Sequence, residues 1–386
     1  MKICLFYHSL LSDWNHGNAH FLRGVATELI SRGHDVHVYE EENNWSLQNL
    51  RADHGEIPFW KMQAVYPDLV SRFYDPASID LEHELRGADL VIVHEWNRHE
   101  LVRRIGRIRA ESDFILLFHD THHRLVTDAG AMGAYDLSHY DGVLAYGEVL
   151  KRLYLAKGLA RQAWTWHEAA DTRVFYPRNT TEHEGDFVWI GNWGDDERTK
   201  ELHEFLIEPV KKLGLKARVY GVRYPQAALD ALARAGIEYG GWLPNFEVPD
   251  VFAKYRITMH VPRGPYVTAL RGIPTIRPFE ALACGIPLVS SPWDDCEGLF
   301  RAGRDFVFAR NGREMEEVLK RSLADSELRQ SQIASGLATI RARHTCAHRV
   351  DELMAICQRG GDRSDDAVPS GLVAPINNTT PVSSLP

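Results

Sequence analysis

Residues 274–295 read Pro-Thr-Ile-Arg-Pro-Phe-Glu-Ala-Leu-Ala-Cys-Gly-Ile-Pro-Leu-Val-Ser-Ser-Pro-Trp-Asp-Asp. Proline suits the first helical position, where its missing N–H has no helical partner to lose. Pro278 therefore predicts a helix start, with Glu280 in the first turn and its carboxylate free. Gly285 predicts the stop. The apolar run 286–289 predicts a short parallel strand covered on both faces. From Ser290 onward the chain then lies past the strand's carboxyl end, where open α/β sheets hold ligands. A helix N-terminus facing a cleft offers unpaired N–H groups and partial positive charge to a phosphate, and Glu280 can accept hydrogen bonds from ribose hydroxyls. The plainer alternative is a solvated Arg277, with Glu280 merely complementing the helix dipole.

Outward from this stretch the chain alternates strand and helix. Apolar runs predict strands at 3–7, 36–39, 90–93, 114–118 and 143–146, and helical spacing appears from Phe21 to Ile30, at 98–110 and at 148–157. A second cycle has strands at 187–190, 217–220 and 257–260 before the quoted segment. Such alternation predicts an α/β fold with parallel sheets in two halves. The expected organisation is an N-terminal domain at 1–170, a polar connection at 171–185 and a C-terminal domain at 186–345. A helix at 346–359 and a tail at 360–386 complete the chain, the tail too poor in bulky apolar residues to offset its ordering entropy.

Polar residues collect where strands end. The loop Ser12-Asp-Trp-Asn-His-Gly-Asn-Ala-His20 lacks a GxGxxG pattern, which argues against a nicotinamide dinucleotide. Gly17 still lets backbone approach a ligand, and Asn15, His16, Asn18 and His20 supply hydrogen bonds. Two later strands end in His94-Glu95-Trp96-Asn97 and His119-Asp120-Thr121-His122-His123, candidate acid–base groups because imidazole titrates near neutrality and a nearby carboxylate orients it. His119, Asp120, His122 and His123 are also candidate metal ligands, although nearly consecutive and without an i, i+4 pair. Trp189-Ile-Gly-Asn-Trp-Gly-Asp-Asp-Glu-Arg198 reads as a strand, a glycine-bearing turn at Gly191 and Asn192, and a helix start with Arg198 as an anion anchor. Trp242, in Tyr239-Gly-Gly-Trp-Leu-Pro-Asn245, serves packing or stacking on a base alike.

These motifs resemble GT-B glycosyltransferases, especially family four and the spore-maturation (CgeB-like) type. The resemblance runs from residue 1 to about 358. It implies two Rossmann-like domains facing a cleft, a last helix crossing back to the N-terminal domain, and hexosyl transfer from a nucleoside diphosphate sugar, as in polysaccharide biosynthesis. Gly191, Asn192, Arg198, Trp242, Arg277 and Glu280 would bind the donor, with Glu280 on its ribose. His94, His119 and Asp120 would be catalytic, and His16, Gly17, Asn18, Glu95 and His122 would line the acceptor side. The resemblance implies no cofactor and no metal. It also implies retention of configuration, assisted by the diphosphate, whereas inversion would need a base such as Asp120 or His119. Two departures stand out. Gly272 replaces a second Glu usual near the transferred sugar, so no donor-sugar contact carries over. Asn192 replaces a usual Arg, whose charge Arg263, Arg271 or Arg277 would supply.

The 386-residue chain carries a net charge of −9, which argues against nucleic acid as a partner. Lys151, Arg152, Lys157 and Arg161 form a basic face for peripheral membrane contact or plain solvation. Five scattered cysteines predict reduced thiols. With no apolar stretch of signal-peptide or membrane-spanning length, a cytoplasmic protein is expected. The acceptor stays open among a sugar, a lipid carrier and a small molecule. A non-hydrolysing nucleotide-sugar epimerase, a silent nucleotide- or sugar-binding module and a metal hydrolase are the alternatives.

Overall fold

The computed structural model describes residues 1–180 and 182–361, arranged as two parallel sheets. The first holds β1 Lys2–Phe6, β2 Asp35–Glu41, β3 Ser71–Tyr74, β4 Leu90–His94, β5 Ile115–Asp120, β6 Gly142–Ala145 and β7 Ala163–Thr165, in the order β3-β2-β1-β4-β5-β6-β7. The second holds β8 Gly185–Ile190, β9 Ala217–Tyr220, β10 Glu238–Tyr239, β11 Tyr255–His260, β12 Leu288–Ser290 and β13 Val307–Phe308, in the order β10-β9-β8-β11-β12-β13. Interior strands are apolar throughout because helices cover both faces. Ile3 to Phe6, Leu90 to Val93 and Leu116 to Phe118 are fully buried. Strand order reverses between β1 and β4 and between β8 and β11, the switch points at which such sheets open a crevice.

The two halves are tied together. The helix Cys346–Gly361 packs on the helix Ala19–Ser31 of the first half, with Arg32 on Asp351 at 2.6 Å and the Trp166 indole donating to the Arg349 carbonyl at 2.8 Å. The packing is close at Gly24, where a Cβ would lie 2.5 Å from Cys346 Sγ and 2.7 Å from Asp171 Cβ. Asp171, Val174 and Phe175 are buried, so the start of the 171–185 connection is packed structure.

Two expectations need correction. The helix of the quoted stretch spans Ile276–Cys284, two residues longer at its start than Pro278 suggested, and Gly285 closes it in the left-handed region at φ 68°. Thr275 enters it at φ 57°, ψ −178°, a conformation costly for a β-branched residue. The last helix runs to Gly361, taking in the first two residues of the expected tail, and residues 362–386 lie outside the described residues.

Candidate functional site

A cavity of about 340 Å³ opens between the sheets. Its lining comes from segments just past strand carboxyl ends: His8 after β1, Trp96 after β4, His122 after β5, Tyr146 after β6 and Glu168 after β7. Across from them stand Asn192 after β8, Arg223 after β9, Trp242 after β10 and Arg263 after β11. Parallel strands all end on one edge, so two facing sheets converge their loops on one volume, a size suited to a small organic ligand.

Arginine dominates the C-terminal wall. Arg198, Arg223, Arg263 and Arg277 line the cavity. Arg223 pairs with Asp195 at 2.9 Å, Arg263 with Glu197 at 3.2 Å, and Arg277 with Glu280. Among the described residues no carboxylate forms an ion pair with Arg198. Its guanidinium donates to the carbonyls of Val261 at 2.7 Å, Trp193 at 3.4 Å and Asn192, and lies 5.0 Å from the Trp189 ring centre. Burial first, then the charges of Arg263 and Arg277, push Arg198 down to about 9. A half-buried cation so crowded by like charge is a ready partner for an anion. Of the three arginines considered as substitutes at position 192, Arg263 and Arg277 line the cavity, whereas Arg271 points to Asp294 at 3.7 Å with its side chain largely exposed.

Gly191 and Asn192 both lie in the wall. The Asn192 amide donates to Asn15 Oδ1 across the cleft, and its oxygen accepts the Val222 N–H at 2.8 Å, so this side chain ties the two halves together. Trp242 also lines the cavity. Its ring centre is 4.6 Å from that of His54, and its indole N–H has no partner among the described residues.

Glu280 is placed differently from the expectation. It is the fifth residue of its helix, beyond the first turn, and fully buried. Oε1 meets His20 Nδ1 at 2.8 Å, Oε2 meets Arg277, and Glu280 is not among the cavity-lining residues. His20 belongs to the first helix of the other half, so one carboxylate oxygen of Glu280 faces that helix and the other faces Arg277. Its carboxylate orients Arg277 and joins the domains.

The N-terminal wall is aromatic. His8, His16, Trp45, Trp96 and His122 line it, with ring centres 4.8 Å apart for His8 and Trp45 and 5.2 Å for Trp96 and His122. Burial pushes His8 down to about 4 and lowers His16 and His122 well below their usual value, leaving all three neutral at pH 7. Gly17 and Asn18 are beside them, and a Cβ on Gly17 would lie 3.6 Å from Ile276 of the opposite half.

Four residues expected in the cleft do not line it. His94 is fully buried and bonds Thr121 Oγ1 at 3.0 Å. His119 packs 4.8 Å from the Trp166 ring, and burial pushes it down to about 3. Asp120 accepts from the Tyr154 hydroxyl at 2.6 Å and the His122 N–H at 3.0 Å. Glu95 pairs with Arg124, which lies 4.2 Å over the Trp96 ring. Burial raises both carboxyls, and the charge of Asp120 adds to the rise at Glu95. Strand alternation is the reason: neighbouring side chains on a strand point to opposite faces, so one strand end cannot aim its whole polar cluster into the cleft. Asp120 and Glu95 instead fix His122 and Trp96, which do line it. Among the described residues no group of three or more His, Cys, Asp or Glu side chains gathers as metal ligands do.

Trp45, Trp96, Tyr146, Glu168, His260 and Tyr266 also line the cavity and were not singled out from sequence. Only position relative to a strand end would have marked them, and β7, before Glu168, is three residues long.

Residues 198–355, less than half of the chain, match the model of a family described as glycosyl transferase-like. No curated protein matches in sequence. Anabaena HepE, solved with UDP and glucose, superposes with a TM-score of 0.66 at 13% identity, covering 93% of this chain and 99% of that one. The fold is GT-B. Sucrose-phosphate synthase from Thermosynechococcus elongatus gives 0.64 at 12% identity over 93% and 98% of the two chains. An alpha-glucosyltransferase solved with UDP and a DNA 13-mer gives 0.67 at 12% identity over 93% and 100%. The GT-B architecture thus accounts for the paired sheets and the cavity between them. Among the described residues no helix is long and apolar enough to cross a membrane. Lys151 and Arg152 of the basic face are both bonded to Glu148, at 3.1 and 3.0 Å.

Proposed function

We propose that the protein is a glycosyltransferase, moving a hexose-type sugar from a nucleoside diphosphate sugar to an acceptor in the aromatic N-terminal half of the cavity. One observation carries this: several arginines crowd one wall, with Arg198 half-buried and held by carbonyl oxygens rather than a carboxylate. A diphosphate neutralises that charge, and the same cations stabilise the charge on the departing nucleotide as the glycosidic bond breaks. Support comes from the family-model match and from neighbours whose complexes contain UDP or UDP-glucose, which makes a uridine diphosphate sugar the first donor to test.

The arginines do what a metal would do for the diphosphate, which favours metal-independent transfer without a cofactor. His119 and Asp120, two bases that inversion could call on, do not line the cavity, and retention, with the leaving diphosphate taking the acceptor's proton, belongs to this reading. Trp45 and Trp96 suit the apolar face of a sugar ring, and the net charge of −9 disfavours a DNA acceptor such as that bound by one neighbour. His16 and His122 are the polar groups placed to orient the acceptor hydroxyl. The spore-maturation subtype and a cytoplasmic site of action belong to this reading.

The test is nucleotide release from UDP-glucose and other nucleotide sugars, with and without EDTA and mono- or oligosaccharide acceptors. Release that needs an acceptor and ignores EDTA supports the reading. Epimerisation of the donor without acceptor, or strict dependence on a metal, contradicts it.

A further inference from the structure

Glu168 stands out once the arginines are accounted for. It comes after β7, is 2% exposed and lines the cavity, and neither of its carboxyl oxygens has a hydrogen-bond partner among the described residues. A buried polar group left unmade is costly, so its persistence in a cavity wall points to a partner that arrives with a ligand. Resting on the donor reading above, we infer that Glu168 hydrogen-bonds hydroxyls of the sugar being transferred.

The chemistry of the group selects that part of the donor. Phosphate oxygens accept hydrogen bonds and carry negative charge, so the diphosphate needs the cations across the cavity. Burial first, then the charge of Glu280, raises the Glu168 carboxyl well above the usual carboxylate range against the opposing charge of Arg277, and a diphosphate's negative charge adds to the rise. A carboxyl can accept hydrogen bonds from sugar hydroxyls and, when protonated, donate one as well. Position agrees with this. Glu168 belongs to the N-terminal half and the arginines to the C-terminal half, and only the sugar lies between the diphosphate and the acceptor. Of the four arginines Arg277 acts on the Glu168 carboxyl, and the tyrosines Tyr146 and Tyr266 are also near it, so Glu168 stands where the two walls meet.

The test compares UDP with UDP-glucose as calorimetric probes on wild-type protein, Glu168→Gln and Glu168→Met, with the melting temperature of each. Both variants keep the side-chain volume. Glu168→Met is expected to melt higher than wild type, because it removes an unpaired buried carboxyl. UDP affinity should stay the same in all three. UDP-glucose affinity relative to UDP should fall roughly tenfold in Glu168→Met, the worth of a hydrogen bond or two, and be largely kept in Glu168→Gln. An unchanged UDP-glucose to UDP ratio in Glu168→Met overturns the inference while leaving the donor reading intact, and so does an equal loss of both ligands, which assigns Glu168 to the nucleotide. Where neither UDP nor UDP-glucose binds, the same comparison is made with the nucleotide sugar that does and its nucleotide; wild-type protein that binds no nucleotide sugar overturns both.

Discussion

Arg198 is the residue whose chemistry the donor reading needs most. Burial and the charges of Arg263 and Arg277 crowd its charge and push its pKa down. A bound diphosphate relieves that crowding by supplying the opposite charge. A guanidinium keeps its proton throughout the working pH range, so the contribution is read by salt rather than by pH. Nucleotide affinity measured by calorimetry should fall as ionic strength rises, and an affinity flat with salt contradicts the assignment. Glu280 behaves as a structural group. Glu280→Ala leaves His20 and Arg277 facing an empty buried site, so it should cost about 3 kcal/mol in urea unfolding, where a first-turn surface carboxylate would cost almost nothing. Arg198, Arg277 and His16 were legible because each lies just past a recognisable strand or opens a recognisable helix. The partners of Glu280 were not legible, because His20 lies 260 positions away and no local pattern marks the pair. Glu168 and Trp45 were not legible, and Trp96 only as a member of a strand-end cluster, since a residue becomes part of a cavity only through the partners that the fold brings opposite it.

Strands in the middle of each sheet were read from sequence, and all four that escaped, β3, β7, β10 and β13, are edge strands. An edge strand is short and covered on fewer sides, so it need not be an apolar run. Ser71–Tyr74 exposes Arg72 and Phe73, and Glu238–Tyr239 is exposed throughout. Two glycines report how closely elements meet. Gly24→Ala drives a methyl into Cys346 and Asp171 at the packing of the first and last helices, and should cost about 1–3 kcal/mol of stability by urea titration. Gly147, after β6, would place a Cβ 2.3 Å from Ile273 Cγ1 of the other half. Gly147→Ala should wedge the cleft open and weaken nucleotide-sugar binding while each half keeps its fold, and Ile273→Ala in the same chain should restore affinity. Loss without rescue would mean that the contact does not set the cleft.

At the scale of the molecule, histidine governs the response to acid. Burial holds His8 near 4 and His119, His260 and His344 near 3, and lowers His16, His94 and His122 as well. An unfolded imidazole titrates near 6.5, so below that pH the unfolded chain binds protons that the folded chain does not, and stability falls as pH drops from 6.5 towards 4. The raised carboxyls of Glu40, Glu95, Asp120, Glu168 and Asp295 act in the opposite sense, but they are five against eight histidines, His34 being lowered as well. The urea midpoint should therefore be lower at pH 5 than at pH 7, and a higher midpoint at pH 5 would contradict this balance. The two-domain plan was legible in the alternation of strands and helices. The interdomain contacts of His20 with Glu280 and Asn15 with Asn192 were not, because they join residues 260 and 177 positions apart and no local pattern marks them. An arginine wall that holds a nucleotide sugar shows itself in the affinity of UDP-, GDP-, ADP-, dTDP- and CMP-sugars for the wild type and for an Arg198→Met, Arg263→Gln double variant. One nucleotide sugar should bind the wild type, and the variant should lose at least about tenfold, as expected for charge-assisted bonds to phosphate. Binding of none of them, or equal binding to both proteins, would contradict it.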